Sequence, residues 1–501
     1  MKKTATPSPA VQFYCTAGKG MESFLVEEVK IKLAAENVDQ IPGKVFFSCP
    51  AEVKLVRDLK SAERLFLLMK RDIPLPPYPH TAKTASQIQR RLVGDGKDWR
   101  SAVETWRHLQ RELSSNCRTA STVEPRRKRK REEDENKGEE GEPDNVPKRT
   151  QRQTPDAETK LGMNDDWDCS GKDNVAGDCF EGETFGSDRE NTSGKSCALT
   201  SDPATFDPVT FRVSCRCSGG LSRHFSSQDL CRVIGLGLTR QLGWRVDLKN
   251  PEVEMNVHLN DDHSVVGIPL LRLPLASRSY VRTTGLRSTI AWAIGFLANI
   301  QPGSTVVDPM CGVGTILVEA AHEHLDACFL GVDIEEKQLD KARENVEFAK
   351  LTHRIQLLRA SSMELPLSGC SVDAVLCDLP FGKKFGTKAG MAASLPGILT
   401  EMERVLRVGG TMVLLLSPQL SVILKRTLTP PDLGPDPGPP LTQQEESLAW
   451  PSAGSAPPLP PRPLSSLQFQ SSQRVSLGAI DGLIHKYVKI QTASTLGGSG
   501  C

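Results

Sequence analysis

Residues 304–315 read Ser-Thr-Val-Val-Asp-Pro-Met-Cys-Gly-Val-Gly-Thr, and this stretch decides the fold of the C-terminal half of the chain. It joins a short apolar run to a glycine-rich turn, which is followed by an amphipathic segment over 316–324. A strand, a glycine turn and a helix in this order are typical of the ligand-binding edge of a parallel sheet. Strand-like and helix-like segments alternate from about residue 275 onward. We therefore predict an α/β fold, a parallel sheet with helices on both faces.

The predicted elements continue the alternation on both sides of this turn. The predicted strands are 304–307, 327–332, 355–358, 373–377, 412–416, 475–477 and 487–491. The predicted helices are 286–300, 316–324, 335–349 and 395–406, the last closed by Gly409-Gly410. Prolines interrupt the pattern over 427–466, which we interpret as a disordered insertion. The strands after the insertion are expected to complete the sheet.

The glycine turn has the composition of a cofactor site. Gly312 and Gly314 let the backbone approach a ligand because no Cβ stands in the way. Asp308 can hold a cationic amino group or order the loop, and Asp333, at the end of the next strand, can accept both hydroxyls of a ribose. A dinucleotide site is the rival interpretation, but Leu317 replaces its third glycine. We therefore predict S-adenosylmethionine as the cofactor; a glycine turn without a ligand is the plain structural alternative.

A second turn, Asp378-Leu379-Pro380-Phe381, follows another strand about sixty residues later and is expected at the same edge. The exocyclic amine of a base is a weak nucleophile because its lone pair is delocalised into the ring. The Asp378 carboxylate and the Leu379 carbonyl could accept both amine hydrogens, and Pro380 would rigidify the turn. Phe381 would stack the base once it has left its own stack. An aspartate-capped β-turn is the structural alternative, but beside the glycine turn we favour methyl transfer to an amine.

The division of the chain follows from changes in composition and periodicity. We predict an α+β N-terminal region over 10–115, a disordered insertion over 116–204, a small αβ module over 205–270, the C-terminal domain over 271–426 and 467–493, and the Pro-rich insertion over 427–466. The strands of the small module carry Arg212, Arg216 and His258 on polar faces, which alone indicates ordinary solvated strands. The cations of 126–131 are followed by acidic residues, and we interpret them as a nuclear import sequence, with a charged tether as the plain alternative.

The overall composition excludes several classes of protein. The formal net charge of the 501 residues is only +1, so RNA contacts must come from local patches. The 14 cysteines form no repeated C-x-x-C pair with zinc spacing, so we predict no metal site. With no signal segment and no run of eighteen apolar residues, we expect a soluble intracellular protein that does not bind membranes.

Both turns resemble motifs of a known family, the THUMP-domain RNA guanosine N2-methyltransferases of archaea and eukaryotes. Asp308-Pro309-x-Cys311-Gly312-x-Gly314-Thr315 is similar to the cofactor motif of that family. Asp378-Leu379-Pro380-Phe381-Gly382 is similar to its catalytic motif. Arg278-x-Tyr280 and Gly285-Leu286-Arg287 look like its linker into the methyltransferase domain. The resemblance covers the segments 11–82, 205–425 and 468–491.

The resemblance implies a ferredoxin-like region and a THUMP module ahead of a class I Rossmann-like methyltransferase domain. It implies that Asp308, Cys311, Gly312, Gly314, Thr315 and Asp333 bind S-adenosylmethionine. It also implies a nuclear enzyme that forms N2-methylguanosine in U6 snRNA, with tRNA as the alternative substrate. A small zinc-binding activator subunit, shared by several methyltransferases, is the implied protein partner in a heterodimer.

Two stretches depart from the family pattern. Many class I enzymes place an acid that reads the adenine amine where this chain has Ala360-Ser361-Ser362, so Ser361 or backbone groups would bind adenine. Lys388–Ala393 has no counterpart that suggests a role. Because of the missing acid, an inactive RNA-binding protein stays open as an alternative. An enzyme that methylates a protein glutamine or adenine in DNA is another, although such enzymes usually carry Asn at the position of Asp378.

Overall fold

The computed structural model describes residues 10–74, 81–118, 209–381, 388–428 and 464–491. Most of the two predicted insertions, 116–204 and 427–466, lies outside these ranges, as does the basic cluster 126–131. Within the described ranges, no helix has both the length and the apolar character needed to cross a membrane.

The described residues form strands and helices in two sheets. The strands are β1 Val11–Thr16, β2 Glu36–Ile41, β3 Lys44–Cys49, β4 Arg64–Asp72, β5 Thr210–Cys217, β6 Arg245–Val246, β7 Val253–Leu259, β8 Ser264–Pro269, β9 Thr305–Asp308, β10 Cys328–Asp333, β11 Ile355–Arg359, β12 Val372–Asp378, β13 Leu406–Leu416, β14 Leu467–Ser476 and β15 Asp481–Lys489. The helices are α1 Glu22–Leu33, α2 Val53–Arg57, α3 Thr81–Ile88, α4 Lys97–Arg118, α5 Ser227–Leu242, α6 Ser288–Leu297, α7 Thr315–Glu323, α8 Glu336–Phe348, α9 Lys388–Val405 and α10 Pro418–Leu428. Shorter turns are a π-helical turn, Gln89–Val93, and a 3-10 turn, Gly219–Arg223.

The C-terminal sheet has the strand order β11-β10-β9-β12-β13-β15-β14. Its first five strands are parallel, and β15 and β14 complete it as an antiparallel hairpin. One apolar cluster, which includes Ile290, Leu317 and Leu339 of α6, α7 and α8, packs on one face. A second, which includes Leu399 and Leu424 of α9 and α10, packs on the other. The predicted parallel sheet with helices on both faces is confirmed.

Several predicted boundaries in this domain are wrong. Helix α9 begins at Lys388, so the stretch 388–393 forms its first turns, and strand β13 follows it directly at Leu406. Gly409 and Gly410 therefore lie inside the strand, where the pairing with β12 shifts register, and do not close the helix. Helix α10 was not predicted. Strand β14 was predicted only at its last residues, because most of its side chains are exposed and show no apolar alternation.

The N-terminal sheet joins two of the predicted regions. Its strand order is β2-β3-β1-β4-β8-β7-β5-β6, so the strands of 10–115 and of 205–270 share one sheet. The seam is the antiparallel pair β4–β8, in which Leu67 lies opposite Ile268. The polar strand β2 and the helices α3 and α4 were not predicted, although the side chain of Trp99 in α4 is buried.

Backbone and side-chain hydrogen bonds hold this sheet beside the C-terminal domain. The Ser476 N–H donates to the Lys19 carbonyl (3.0 Å), and Gln473 Nε2 donates to the Gly20 carbonyl (3.1 Å). These contacts come from the end of β14, which pairs with the start of β15. Since Leu415 of β13 lies between Asp378 and the start of β15, the junction borders the edge where the two predicted turns lie.

Candidate active site

The glycine turn occupies the end of β9, as predicted, and is held by its own backbone. The Cys311 N–H donates to the Val332 carbonyl (2.9 Å), and the Gly314 N–H donates to the Cys311 carbonyl (2.8 Å). Gly312 and Gly314 have φ angles of 53° and 78°, a left-handed conformation that favours glycine. Apart from Gly312 and its two chain neighbours, no heavy atom of the described residues lies within 4 Å of the position that a Cβ on Gly312 would take. The turn therefore leaves open space beside its backbone.

Asp333 closes this turn. Its Oδ2 accepts a hydrogen bond from the Gly312 N–H (2.9 Å), and its Oδ1 accepts one from the Glu335 N–H (2.8 Å). We predicted that Asp333 binds ribose hydroxyls, and the structure adds a second task, which is to fix the loop. A carboxylate has about four lone-pair sites, so acceptor capacity for a ligand is left on both oxygens.

Three carboxylates lie at this edge, because β10, β9 and β12 are neighbours and end in Asp333, Asp308 and Asp378. Asp308 is 1% exposed, and its Oδ1 accepts a hydrogen bond from the Met310 N–H (3.1 Å). Burial, together with the charges of Asp378 and Asp333, raises the pKa of Asp308 well above its usual range. Burial raises the pKa of Asp378 to about 7. The edge is therefore suited to a ligand that brings positive charge.

The second turn is anchored to the sheet by its own backbone. The Leu379 N–H donates to the Leu415 carbonyl (3.0 Å), and the Leu379 side chain is fully buried in the cluster under α9. The half-buried Phe381 ring packs against the opposite apolar cluster, with its Cζ 3.6 Å from where a Cβ on Gly482 would lie. Pro380 is half-buried between them. The turn thus presents the Asp378 carboxylate from a rigid base.

The remaining predicted cofactor residues have contacts of their own. The Cys311 side chain is buried in the cluster with α6 and α7, so a ligand would meet its backbone. Thr315 is the first residue of α7, and its Oγ1 accepts a hydrogen bond from the Gly285 N–H (3.2 Å). Ser361 follows β11, and its Oγ accepts one from the Met363 N–H (3.2 Å), which leaves its hydroxyl hydrogen to donate.

Sequence reasoning missed Asn345, which braces the glycine turn from behind. This side chain is fully buried in α8. Its Oδ1 accepts hydrogen bonds from the Arg282 and Thr283 N–H groups (3.0 and 2.9 Å), and its Nδ2 donates to the carbonyls of Thr283 and Val313 (2.7 and 2.8 Å). One amide thus ties the linker to the cofactor loop with all four of its hydrogen-bonding sites. Its place beside Ala342 and Val346 on the apolar face of α8 was the available clue.

The linker residues Arg278 and Tyr280 anchor the junction. Arg278 forms a buried ion pair with Glu319 of α7 (Nε to Oε1 3.1 Å), and its Nη2 donates to the Lys60 carbonyl (2.6 Å). The Tyr280 hydroxyl donates to the second Glu319 oxygen (3.3 Å). Glu319 belongs to the helix that starts at the glycine turn, so this network connects the N-terminal sheet to the candidate site.

Comparisons with known proteins agree with this architecture. The model of the RMKL-like methyltransferase domain matches residues 276–423, and the THUMP domain model matches residues 195–268. Crystal structures of TrmN from Thermus thermophilus and of SMU.472, a putative methyltransferase complexed with SAH, each give a TM-score of 0.56 over 96% of this chain, at 20% and 10% identity, which shows a common fold. The chain is therefore a class I methyltransferase joined to a THUMP domain.

The relatives define the family more narrowly. The U6 snRNA (guanine-N(2))-methyltransferase THUMPD2 of Mus musculus is 39% identical over 516 residues, covering 99% of this chain and 94% of that protein. THUMPD2 of Homo sapiens is 39% identical over 82% of this chain and 79% of its own length. The tRNA (guanine(6)-N2)-methyltransferase of Thermus thermophilus is 35% identical over 44% of this chain and 65% of its own. This chain belongs to the family of THUMP-domain guanine-N2-methyltransferases.

Proposed function

We propose that this protein binds S-adenosylmethionine and methylates N2 of a guanosine in U6 snRNA. The observation that carries the proposal is the half-buried Asp378 carboxylate, which lies one strand away from the glycine turn on the same edge of the sheet. The two THUMPD2 relatives, which cover most of this chain, support U6 snRNA over tRNA. The tRNA enzymes of the family support the alternative substrate.

The residues at this edge suit the cofactor in charge, and the glycine turn leaves space beside its backbone. S-adenosylmethionine carries positive charge on its sulfonium and its ammonium group, and when bound it supplies an electrophilic methyl group. Asp308 and Asp333 offer carboxylate oxygens, and the backbone of Gly312 borders open space. We assign the ammonium to the region of Asp308, the ribose to Asp333 and adenine to Ser361, with Gly314, Thr315 and Cys311 shaping the loop.

The second turn would position the amine of the target base. The ionised Asp378 carboxylate and the Leu379 carbonyl accept the two amine hydrogens, which localises the nitrogen lone pair. Phe381 contacts the base face, and Pro380 fixes the direction of the carbonyl. Acceptors held on a rigid strand end act through positioning, and this is the main contribution that the chain makes to the reaction.

A substitution of Asp378 tests this mechanism. We expect Asp378→Ala to abolish methyl transfer to RNA while calorimetry still detects S-adenosylmethionine binding. Asp340→Ala removes an exposed carboxylate from α8 and serves as the control, with full activity expected. Undiminished turnover in Asp378→Ala would refute the role of the carboxylate. Absence of cofactor binding by the wild-type protein would favour an inactive RNA-binding protein instead.

The substrate is tested by transfer of a labelled methyl group. Purified U6 snRNA and tRNA are offered separately, with and without the activator subunit, and the RNA is digested for mass spectrometry. N2-methylguanosine in U6 snRNA would support the proposal. Label in tRNA alone would support the proposed reaction with tRNA as the substrate. Methylated adenine would contradict guanosine as the target base.

We further propose that the small zinc-binding activator subunit binds at the edge strand β11. Three exposed apolar side chains lie at the carboxyl end of this edge: Ile334 (64% exposed), Leu358 (37%) and Met363 (50%). Exposed apolar side chains beside an edge strand are typical of a protein interface. Leu358→Asp should abolish co-purification with the activator, whereas Leu236→Asp, on the exposed face of helix α5, should not. Co-purification of both variants at the wild-type level would reject this surface.

The regions ahead of the methyltransferase domain are proposed to bind the RNA. This role is assigned to the ferredoxin-like region 10–115 and the THUMP module 205–270, which share one sheet. We also propose nuclear import through the cations of 126–131. A variant with all six neutralised should accumulate outside the nucleus; an unchanged distribution would contradict the assignment.

A further inference from the structure

One face of the N-terminal sheet gathers basic side chains from four strands. Lys44 comes from β3, Arg71 from β4, Arg216 from β5 and His258 from β7, and His263 lies in the turn before β8. We call these five residues the cationic cluster. Arg216 lies directly beside His258 in the pairing of β5 with β7, so the two side chains share a face of the sheet.

The contacts within the cationic cluster bring the Lys44 ammonium and the two imidazole rings together. Lys44 is 7% exposed, and its Nζ lies 2.7 Å from Nδ1 of His258. Because a lysine ammonium can only donate, Nδ1 is the acceptor, and the imidazole proton lies on Nε2. The ring of His263 lies 5.5 Å from that of His258, centroid to centroid. His263 is 8% exposed, and its buried Nε2 has no hydrogen-bond partner among the described residues.

The charges around Lys44 and His258 are of one sign. Burial and the charge of Arg216 lower the pKa of Lys44 to about 8. Burial and the charges of Lys44, His263 and Arg216 lower the pKa of His258 to about 3. Asp262 lies near His263, and Asp39 pairs with Arg71 (2.6 Å). A buried lysine among cations is unfavourable in the isolated protein, and an anion in the same place would stabilise it.

A neighbouring arginine on the same strand, Arg212, has a carboxylate partner, unlike Lys44 and His258. Arg212 lies on the same strand and face, four residues before Arg216. Its Nη2 pairs with Glu254 (2.9 Å), and its Nη1 donates to the Leu248 carbonyl (3.2 Å). The Arg212 guanidinium therefore bonds to a carboxylate and a carbonyl, although its buried Nε has no hydrogen-bond partner among the described residues. Lys44 and His258 instead form a hydrogen bond with each other. No carboxylate is among the neighbouring groups that change the pKa values of these two residues.

We propose that the cationic cluster binds a backbone phosphate of the RNA substrate. Ammonium, imidazole and guanidinium groups are all donors, which suits the oxygens of one phosphate and offers nothing that reads a base. RNA is favoured over an acidic protein because the site lies on the sheet shared by the regions assigned to RNA binding. The inference thus rests on the proposed function, and it adds a positioning contact remote from the methyl-transfer site.

The test is the RNA affinity of the full-length chain as a function of salt. Lys44→Met keeps the bulk of the buried stem and removes the charge. We expect it to weaken binding of a U6 snRNA transcript about tenfold at 150 mM salt and to reduce the log–log salt slope by about one. An unrelated hairpin RNA should lose affinity by the same factor, because a phosphate contact carries no sequence information.

Two further variants keep the experiment decisive. Arg216→Gln changes an exposed residue and should show the same effect even if Lys44→Met fails to fold. Arg240→Gln removes the same charge from the exposed face of α5 and should behave as the wild type. Wild-type affinity and slope in folded Lys44→Met and Arg216→Gln would overturn the proposal. RNA binding is measured without methyl transfer, so the two proposals can fail separately. If the protein methylates no RNA but the variants still bind RNA more weakly, the phosphate site is supported and the proposed function is refuted.

Discussion

Replacement of Asp378 by asparagine should stabilise the folded protein while it impairs the enzyme. Burial raises the pKa of this carboxyl from its ordinary 3.8 to about 7, so the folded state binds a proton more tightly than the unfolded state between these values. The sign follows directly: the free energy of unfolding falls as pH rises through this window and stays low above pH 7. At 1.36 kcal/mol per pH unit, the ionised carboxylate costs at most about 4 kcal/mol at pH 8.

The assay is thermal unfolding of wild type and Asp378→Asn, without cofactor, at pH 5 and pH 8. Asparagine keeps the shape and cannot ionise, so the difference between the two proteins isolates this carboxyl. We expect the variant to be more stable at both pH values, and its advantage to grow by about 2–3 kcal/mol between them. That corresponds to roughly 5 °C or more in the difference between the midpoints. A difference that is constant with pH would refute the burial argument, and one that shrinks would show that a cation stabilises Asp378.

Three other outcomes follow from the same contacts. kcat/KM for RNA should rise with pH and level off above about 7, because Asp378 must be ionised to accept both amine hydrogens; a flat profile from pH 5.5 to 8.5 would contradict this. Asn345→Asp places a carboxylate oxygen against the carbonyls of Thr283 and Val313, and we expect about 2–4 kcal/mol lower stability together with weaker cofactor binding in calorimetry. Glu319→Gln leaves the buried Arg278 guanidinium without its charge partner and should lower the free energy of unfolding by about 3 kcal/mol in denaturant titrations, with wild-type stability as the contrary result.

The elements that a sequence predicts well are those that bury one face. α8 carries Leu339, Ala342 and Val346 on one face, and β9 is a short apolar run, so both were predicted from pattern alone. β2 and β14 are edge strands with mostly exposed side chains, and their pairing depends on backbone groups that leave no pattern in the sequence. Helix α4 differs, since Trp99, Val103, Trp106 and Leu109 follow one another at intervals of four, three and three residues and could have been recognised.

The site divides in the same way. The positions of Asp308, Asp333 and Asp378 follow from the rule that parallel strands end at a common edge, and the sequence is sufficient to place them there. The four hydrogen bonds of Asn345 require the linker, α8 and the glycine turn to meet, and this is a property of the tertiary structure. The pKa of Asp378 likewise depends on burial that no local pattern contains.

The three carboxylates conflict with stable folding, and this conflict is itself an argument for a ligand. Asp308 is almost fully buried, and the charges of Asp333 and Asp378 make its ionised form still less favourable. A sheet edge gains nothing in stability from such neighbours, and residues that break a local rule in this way are typical of functional sites. The positive charges of a bound ligand would add attractive interactions that offset this repulsion. The gain in the free energy of unfolding that we expect for Asp378→Asn therefore measures the stability that the folded protein loses by keeping a carboxylate at this edge for a cationic ligand.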